Sequence, residues 1–171
     1  ALVTVWILTW INLRGVKEGK LLQTSLTVIK TTALALLVIV GLTVGRNAEA
    51  LAANFGAGLA GSPPIGSALV LAFGAAMVGS LFSSDAWNNV TFAAAEVHNP
   101  QKNLPLALLL GTGMVSALYI MANVAYLNVL PMAGDASGAT AMARGIQFAT
   151  QDRVATAVME TVFGPSGTTL M

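Results

Sequence analysis

Two long apolar runs constrain the fold of this chain more than any other feature. The run 21–45 and the run 104–130 are both long enough to cross a hydrocarbon core as a helix, which takes about 20 residues. The helix of a soluble domain needs a polar face toward water. Charged residues make up only 9% of the chain, too few to coat a water-facing surface. The sequence therefore predicts an all-α integral membrane protein.

Two shorter apolar segments stand at the ends of the chain. Residues 1–13 are too short to span a bilayer, and they carry Trp6 and Trp10, a residue type enriched at membrane interfaces. We interpret them as the end of a span, and residues 154–171 as the start of another. We therefore expect the chain 1–171 to be an internal fragment of one transmembrane domain.

The charges on the predicted loops indicate an orientation. Loops 14–20 and 98–103 hold four Lys or Arg residues, whereas the opposite loops, 46–64 and 132–153, hold three. The positive-inside rule places the first two loops in the cytoplasm. The net charge of +1 and the lack of a basic block give no reason to expect a nucleic-acid partner.

A polar cluster interrupts the remaining apolar segment, residues 65–97. Residues 82–89 read FSSDAWNN, and Ser83 to Asp85 lie roughly 27–30 Å along a helix that begins at residue 65. An ionisable residue at such depth is costly and usually functional. We interpret the cluster as a helix break near 83–86, with Asp85 as N-cap of the second half. Backbone groups freed by a break can bind a charged solute. The alternative is a span that ends near Phe82 in an interfacial cap.

Lys30 is the second ionisable residue expected at membrane depth. It lies about 13 Å into a helix that begins at residue 21, and Thr27 and Thr31 share its face. A lysine at this depth is a candidate proton carrier or a fixed substitute for a cation. The alternative is a side chain that extends to the interface.

Other chemistry is not indicated. The chain has no cysteine, no GxxxxGK[ST] phosphate loop and no HExxH zinc motif, so we predict no cofactor and no metal. A membrane-embedded enzyme would need a base beside Ser84 and Asp85, and none is evident. We interpret His98 as a solvated loop residue. Gly41 and Gly45 form a GxxxG pattern, which predicts close helix packing.

The run FSSDAWNNVTFAAAEVHNPQKNLPLAL resembles the sixth helix and following loop of the amino acid–polyamine–organocation permeases. Residues 21–41 resemble the fifth helix, with Lys30 at its recurrent lysine, and residues 116–131 resemble the seventh. Ala86 replaces the usual glycine, and Ser84 stands where an aromatic is common. The matching positions in the run are Phe82, Asp85, Trp87, Asn88, Glu96, Asn99, Pro100, Lys102, Asn103, Leu104 and Pro105.

The resemblance implies a five-plus-five inverted-repeat (LeuT-type) fold with a discontinuous sixth helix. The chain would then run from the end of helix four to the start of helix eight. Carbonyls at the break would receive the amino group of the substrate, the Phe82 ring would close the site, and Trp87 and Asn88 would support the second half-helix. The expected substrate-binding residues are Phe82, Ser83, Ser84, Asp85, Trp87 and Asn88.

The implied function is secondary active transport of amino acids across the cytoplasmic membrane, by proton symport or by exchange. Lys30 is expected to favour proton coupling or exchange over sodium symport. The expected partners are an amino acid or amine substrate, protons and the lipid bilayer. A polyamine or organic amine carrier and a non-transporting membrane sensor with the permease fold are the alternatives.

Overall fold

The computed structural model describes residues 2–13, 16–56 and 66–170, and every regular element in these ranges is helical. The predicted all-α class is confirmed for this part of the chain. The predicted start at residue 65 lies outside the described residues. In order, the elements are α1 (Leu2–Leu13), α2 (Val16–Leu42), α3 (Ala48–Phe55), α4 (Ser67–Ser83), a long 3₁₀ helix (Asp85–Glu96), α5 (Pro100–Val129), α6 (Ala141–Arg144), a short 3₁₀ helix (Thr150–Asp152), α7 (Val154–Phe163) and α8 (Pro165–Leu170).

Two of the described helices are long and apolar enough to cross a membrane, Gly19–Leu42 within α2 and Pro100–Val129, which is α5. With 27 and 30 residues, α2 and α5 extend about 40 and 45 Å, more than a hydrocarbon core of about 30 Å. The predicted spans 21–45 and 104–130 overlap these two helices in sequence. Both helices begin four or five residues earlier, so Lys20 is helical and does not belong to a loop.

α5 begins at Pro100, four residues before the apolar run 104–130 from which the sequence predicted this span. Pro100 occupies the first helical position, where its missing N–H would have no partner in any case. The preceding Asn99 has a left-handed backbone with a φ of 49°. The side chain of Asn103 donates from Nδ2 to the carbonyl of His98 at 2.6 Å, so Asn103 fastens the helix start from inside the first turn.

α2 and α5 are in close contact through their C-terminal halves. A Cβ atom on Gly41 would lie 2.8 Å from the Cβ of Ala125, and one on Gly45 would lie 2.9 Å from Cγ2 of Val129. From the contact at Gly41 to the contact at Gly45, the position moves four residues forward in both segments. The helices therefore run parallel, and their N-terminal ends lie at the same end of the pair. The predicted close packing at Gly41 and Gly45 is confirmed.

The buried core lies at the C-terminal ends of α2 and α5, where α3, α6 and α7 meet them. The sequence interpretation treated 46–64 and 132–153 as loops, and it was wrong for the parts that form α3 and α6. These helices are short, so their sequences do not contain an apolar run long enough to predict a membrane span. The buried residues are Leu37, Val38, Ala50, Ala122, Ala125, Val129, Leu130, Ala141, Ala149, Ala157 and Val158.

Asn54 on α3 forms hydrogen bonds with the backbone at the C-terminal end of α5. Its Nδ2 donates to the carbonyls of Leu127 at 2.8 Å and Leu130 at 2.9 Å. Its Oδ1 accepts the N–H of Met132 at 2.6 Å. In a continuous helix, the Leu127 carbonyl would bond to the N–H of residue 131, but Pro131 has none. Asn54 therefore supplies the donor that the proline removes.

Replacing Asn54 by aspartate is expected to destabilise the protein by about 3 kcal/mol, because the two hydrogen bonds donated by Nδ2, of roughly 0.5–1.5 kcal/mol each, are lost and oxygen–oxygen repulsion takes their place. Aspartate keeps the shape but turns a carboxylate toward two carbonyl oxygens. Asn54→Ala is expected to lose less stability, since it adds no such repulsion. The melting temperature of the purified protein in detergent measures both effects. An Asn54→Asp variant as stable as the wild type would contradict this account.

Candidate functional site

The chain changes from an α-helix to a 3₁₀ helix where the sequence predicts a break. α4 has 17 residues and ends at Ser83; the 3₁₀ helix has 12 residues and begins at Asp85. At 1.5 and 2.0 Å per residue, the two parts extend about 26 and 24 Å, so the change falls near the middle of the combined element. Runs of 3₁₀ helix beyond about four residues are uncommon, and within a longer helix they often mark a functional hinge.

Ser84, and not Asp85, occupies the N-cap position of the 3₁₀ helix, so the sequence interpretation of Asp85 was wrong. The backbone of Ser84 stays in the right-handed helical region, with φ −94° and ψ 0°. Its N–H donates to the carbonyls of Ser80 and Leu81, both at 3.2 Å, and its hydroxyl donates to the Leu81 carbonyl at 3.0 Å. The change is therefore a tightening of the helix, without an extended residue between the halves.

A groove of about 870 Å³ lies between this element and α5. Polar side chains on its walls come from one face of α5, at spacings of three and four residues, and from the last turn of α4. The described lining residues include no charged side chain. They are Ser80, Ser84, Val90, Ala107, Leu108, Gly111, Thr112, Val115, Ser116, Tyr119 and Asn123.

The structure describes the side chains of two predicted substrate-binding residues, Ser84 and Phe82. Ser84 lines the groove, whereas Phe82 is 83% exposed and is not among the lining residues. Two residues along an α-helix correspond to about 200°, so Phe82 lies on the face opposite Ser84. The side chains of the other four lie outside the described part of the structure. These are Ser83, Asp85, Trp87 and Asn88.

Lys30 lies on an exposed stretch of α2 and does not line the groove. Because α2 begins at Val16, Lys30 is about 21 Å along a helix of about 40 Å, near its middle. The hydroxyls of Thr27 and Thr31 donate to the carbonyls one turn earlier, both at 2.8 Å. Among the described residues, no carboxylate forms an ion pair with Lys30.

The polar residues of α5 were missed by the sequence interpretation. Thr112, Ser116, Tyr119 and Asn123 stand singly among apolar neighbours, and each alone is unremarkable in a membrane helix. Their spacing was the available signal, since it places all four on one helix face. Within the described residues, no group of three or more His, Asp or Glu side chains is placed to hold a metal ion.

Sequence comparisons with known proteins identify the family of this chain. The profile of the amino acid permease family matches residues 1–171. The chain therefore belongs to the amino acid permease family. Membership of this family, together with two described helices long and apolar enough to span a bilayer, identifies an integral membrane protein.

Several curated relatives are named as transporters or exchangers. The chain is 31% identical to the b(0,+)-type amino acid transporter 1 of Homo sapiens over 76% of this chain and 26% of that protein. It is 33% identical to the serine/threonine exchanger SteT of Bacillus subtilis (strain 168), over 75% and 27%. It is 32% identical to the large neutral amino acids transporter small subunit 2 of Homo sapiens, over 85% and 27%. The chain thus spans about a quarter of the length of these relatives. No solved structure gives a significant match.

Proposed function

We propose that the protein carrying this chain is a secondary transporter that moves amino acids across the cell membrane, by exchange or by proton symport. One observation carries the proposal, which is membership of the amino acid permease family over the whole chain. The relatives named above are amino acid transporters and a serine/threonine exchanger.

The position of the groove supports this function. Thr112 lies about 18 Å from the start of α5, a helix of about 45 Å, so the polar wall is near mid-depth. The opposite wall lies where α4 gives way to the 3₁₀ helix. Substrate sites of secondary transporters lie near the bilayer midplane, beside discontinuous helices.

We further propose the five-plus-five inverted repeat, in a multi-pass protein. In this arrangement α2 is the fifth helix, α4 and the long 3₁₀ helix form the sixth, and α5 is the seventh. The parallel direction of α2 and α5 is compatible with this order, because one span of opposite direction separates them. The N-terminal ends of α2 and α5 would face the cytoplasm.

The substrate ammonium group is proposed to bind carbonyl oxygens near the change of helix type, at Phe82, Ser83 and Asp85, with Trp87 and Asn88 supporting the second half. A polyamine carrier would need several carboxylates on its walls. The described residues that line the groove have none, and counterflow with polyamines tests this alternative directly.

Counterflow into liposomes tests the proposal. The complete protein is reconstituted in liposomes that are loaded with one unlabelled amino acid and have no ion gradient, and labelled amino acids are supplied outside one at a time. Saturable accumulation of one class of amino acid is the expected result. If well-folded protein gives no counterflow with any amino acid or polyamine, the non-transporting sensor becomes the better interpretation.

Replacing Phe82 by alanine is expected to raise the KM for the substrate about tenfold, with little change in expression, if the ring closes the occupied site. Phe73→Ala is the matched control, because Phe73 is a second exposed phenylalanine on α4, at 66% exposure. Equal KM values for the two variants in counterflow would remove the Phe82 ring from the site.

A further inference from the structure

A second cleft, of about 340 Å³, lies where the chain passes from α2 to α3, beside α7. It is separate from the groove between α4 and α5, because the two share no described lining residue. Five of its lining residues are consecutive in the chain, and two come from α7. They are Val44, Gly45, Arg46, Asn47, Ala48, Thr161 and Val162.

Arg46 gives this cleft an unbalanced positive charge. Among the described residues, no carboxylate forms an ion pair with Arg46, and the lining includes no acidic side chain. Glu49 follows in the first turn of α3, but it does not line the cleft. A guanidinium is always charged, and its five N–H donors match the geometry of phosphate oxygens. The cleft is therefore suited to an anion.

The backbone at the cleft adds further donors. The N–H of Gly45 donates to the carbonyl of Val40 at 2.8 Å, and that of Asn47 to the carbonyl of Asn128 at 3.0 Å. The N–H groups of Arg46 and Ala48 have no acceptor among the described residues. Backbone donors of this kind bond to water or to a ligand. The hydroxyl of Thr161 donates to the Ala157 carbonyl at 2.8 Å and keeps its lone pairs for a donor on the ligand.

The depth of the cleft corresponds to the headgroup layer of a bilayer. Arg46 follows Lys20 by 26 residues, nearly all of them in α2. This length is about 39 Å along a helix, close to the roughly 40–45 Å of a bilayer with its headgroups. With Lys20 in one headgroup layer, Arg46 therefore lies in the other.

An apolar surface leads from the cleft toward the middle of the membrane. Val44 lines the cleft and is exposed, and Leu36 and Ile39 are exposed further along α2. Leu36 and Ile39 lie on the face of α2 opposite Gly41, and thus away from the contact with α5. An acyl chain can pack along this face while its headgroup occupies the cleft.

We propose that this cleft binds the phosphate group of a membrane phospholipid, with Arg46 as its principal ligand and the acyl chains along Leu36 and Ile39. Free phosphate offers the same oxygens, but it has no group that would use the apolar face. The position in the headgroup layer therefore favours the lipid. This site is independent of the proposed transport function. A lipid bound here contacts α2 and α7 together, so it should stabilise the folded protein.

The melting temperature of the complete protein tests the ligand. Protein that has been stripped of lipid in detergent is titrated with phosphatidylglycerol, with diacylglycerol of the same chains, and with inorganic phosphate. A saturable rise with phosphatidylglycerol, and a much smaller one with either of the others, is the expected result. An equal rise with diacylglycerol would overturn the phosphate site, and an equal rise with inorganic phosphate would overturn the lipid as its source.

Three variants test the site itself. Arg46→Gln is expected to weaken the apparent affinity for phosphatidylglycerol about tenfold, because a charge-assisted hydrogen bond is lost. Arg46→Lys keeps the charge without the planar fork and should lie between Arg46→Gln and the wild type. Arg153→Gln is the matched control, since Arg153 is an exposed arginine that does not line the cleft.

Because Arg46 is exposed and has no described ion pair, Arg46→Gln should melt close to the wild type before lipid is added. A wild-type affinity in Arg46→Gln would overturn the proposal. So would an equal loss in Arg153→Gln, because it would show a general effect of surface charge. None of these measurements depends on transport, so the proposed function is tested separately by counterflow.

Discussion

Replacing Gly41 by leucine is expected to abolish the folded protein, because α2 and α5 touch backbone to backbone at this position. A single Cβ atom on Gly41 would already lie 2.8 Å from the Cβ of Ala125 and 3.4 Å from its Cα and carbonyl oxygen. Ala125 is fully buried and cannot move aside without displacing α5. Membrane helices associate through such close contact, with no hydrophobic effect to replace it. Overpacking of this kind costs about 1–3 kcal/mol or more for small insertions, and leucine adds four carbons.

The measurement is the size-exclusion profile and melting temperature of the complete protein in detergent. Gly41→Ala is expected to lower the melting temperature, and Gly41→Leu to remove the monodisperse peak. The rescue variant Gly41→Ala with Ala125→Gly moves the methyl group from one helix to the other, so it should recover most of the loss. A Gly41→Leu protein with a wild-type profile would show that α2 and α5 do not meet here.

Replacing Lys30 by alanine is expected to reduce pH-driven uptake at least tenfold and to leave gradient-free counterflow in place. Lys30 lies near the middle of α2, and no described carboxylate pairs with it. An amine at this depth is costly and therefore usually functional, and we propose proton transfer during transport as the function of Lys30. Uptake in proteoliposomes is measured with and without an inward proton gradient.

Two controls separate coupling from folding in this experiment. Lys30→Arg keeps a positive charge that does not release its proton, so it should also lose the response to the gradient. Lys20→Ala, a substitution near the start of the same helix, should keep the response to the proton gradient. Undiminished pH-driven uptake in the Lys30→Ala protein would remove this lysine from the coupling mechanism and favour exchange.

The apolar runs were sufficient to predict α2 and α5, because a helix that satisfies its own backbone is the simplest structure that such runs can form in lipid. Their exact starts were harder to predict. The start of α5 depends on the left-handed turn at Asn99, and a sequence with two prolines close together does not show which of them lies at the first position. α3 and α6 were missed because eight and four residues carry too little periodicity.

The sequence predicted only one wall of the groove, the wall that contains Ser84. Ser84 belongs to a polar cluster that is conspicuous in an apolar segment, whereas Asn123 and Thr112 are single polar residues in a long helix. They belong to the same groove only because α5 packs against the long 3₁₀ helix, which is a tertiary arrangement that spacing along the chain does not reveal. The assignment of Asp85 as N-cap failed for a local reason. The hydroxyl of Ser84 bonds backward to Leu81 and holds the chain in a helical conformation.

Among the described residues, the buried contacts of α5 lie at its C-terminal end, and this restricts how the helix can tilt relative to α2. Its C-terminal end contacts Gly41 and is hydrogen-bonded to Asn54 of α3, so we expect any tilt to pivot about this end. Displacement then grows with distance from it. Thr112 lies about 20 Å from Ala125 along the helix, so a tilt of about 10° shifts it by about 3 Å, the length of one hydrogen bond. A small angular change of α5 would therefore be enough to engage or release a ligand at Thr112 while the contact with α2 stays intact.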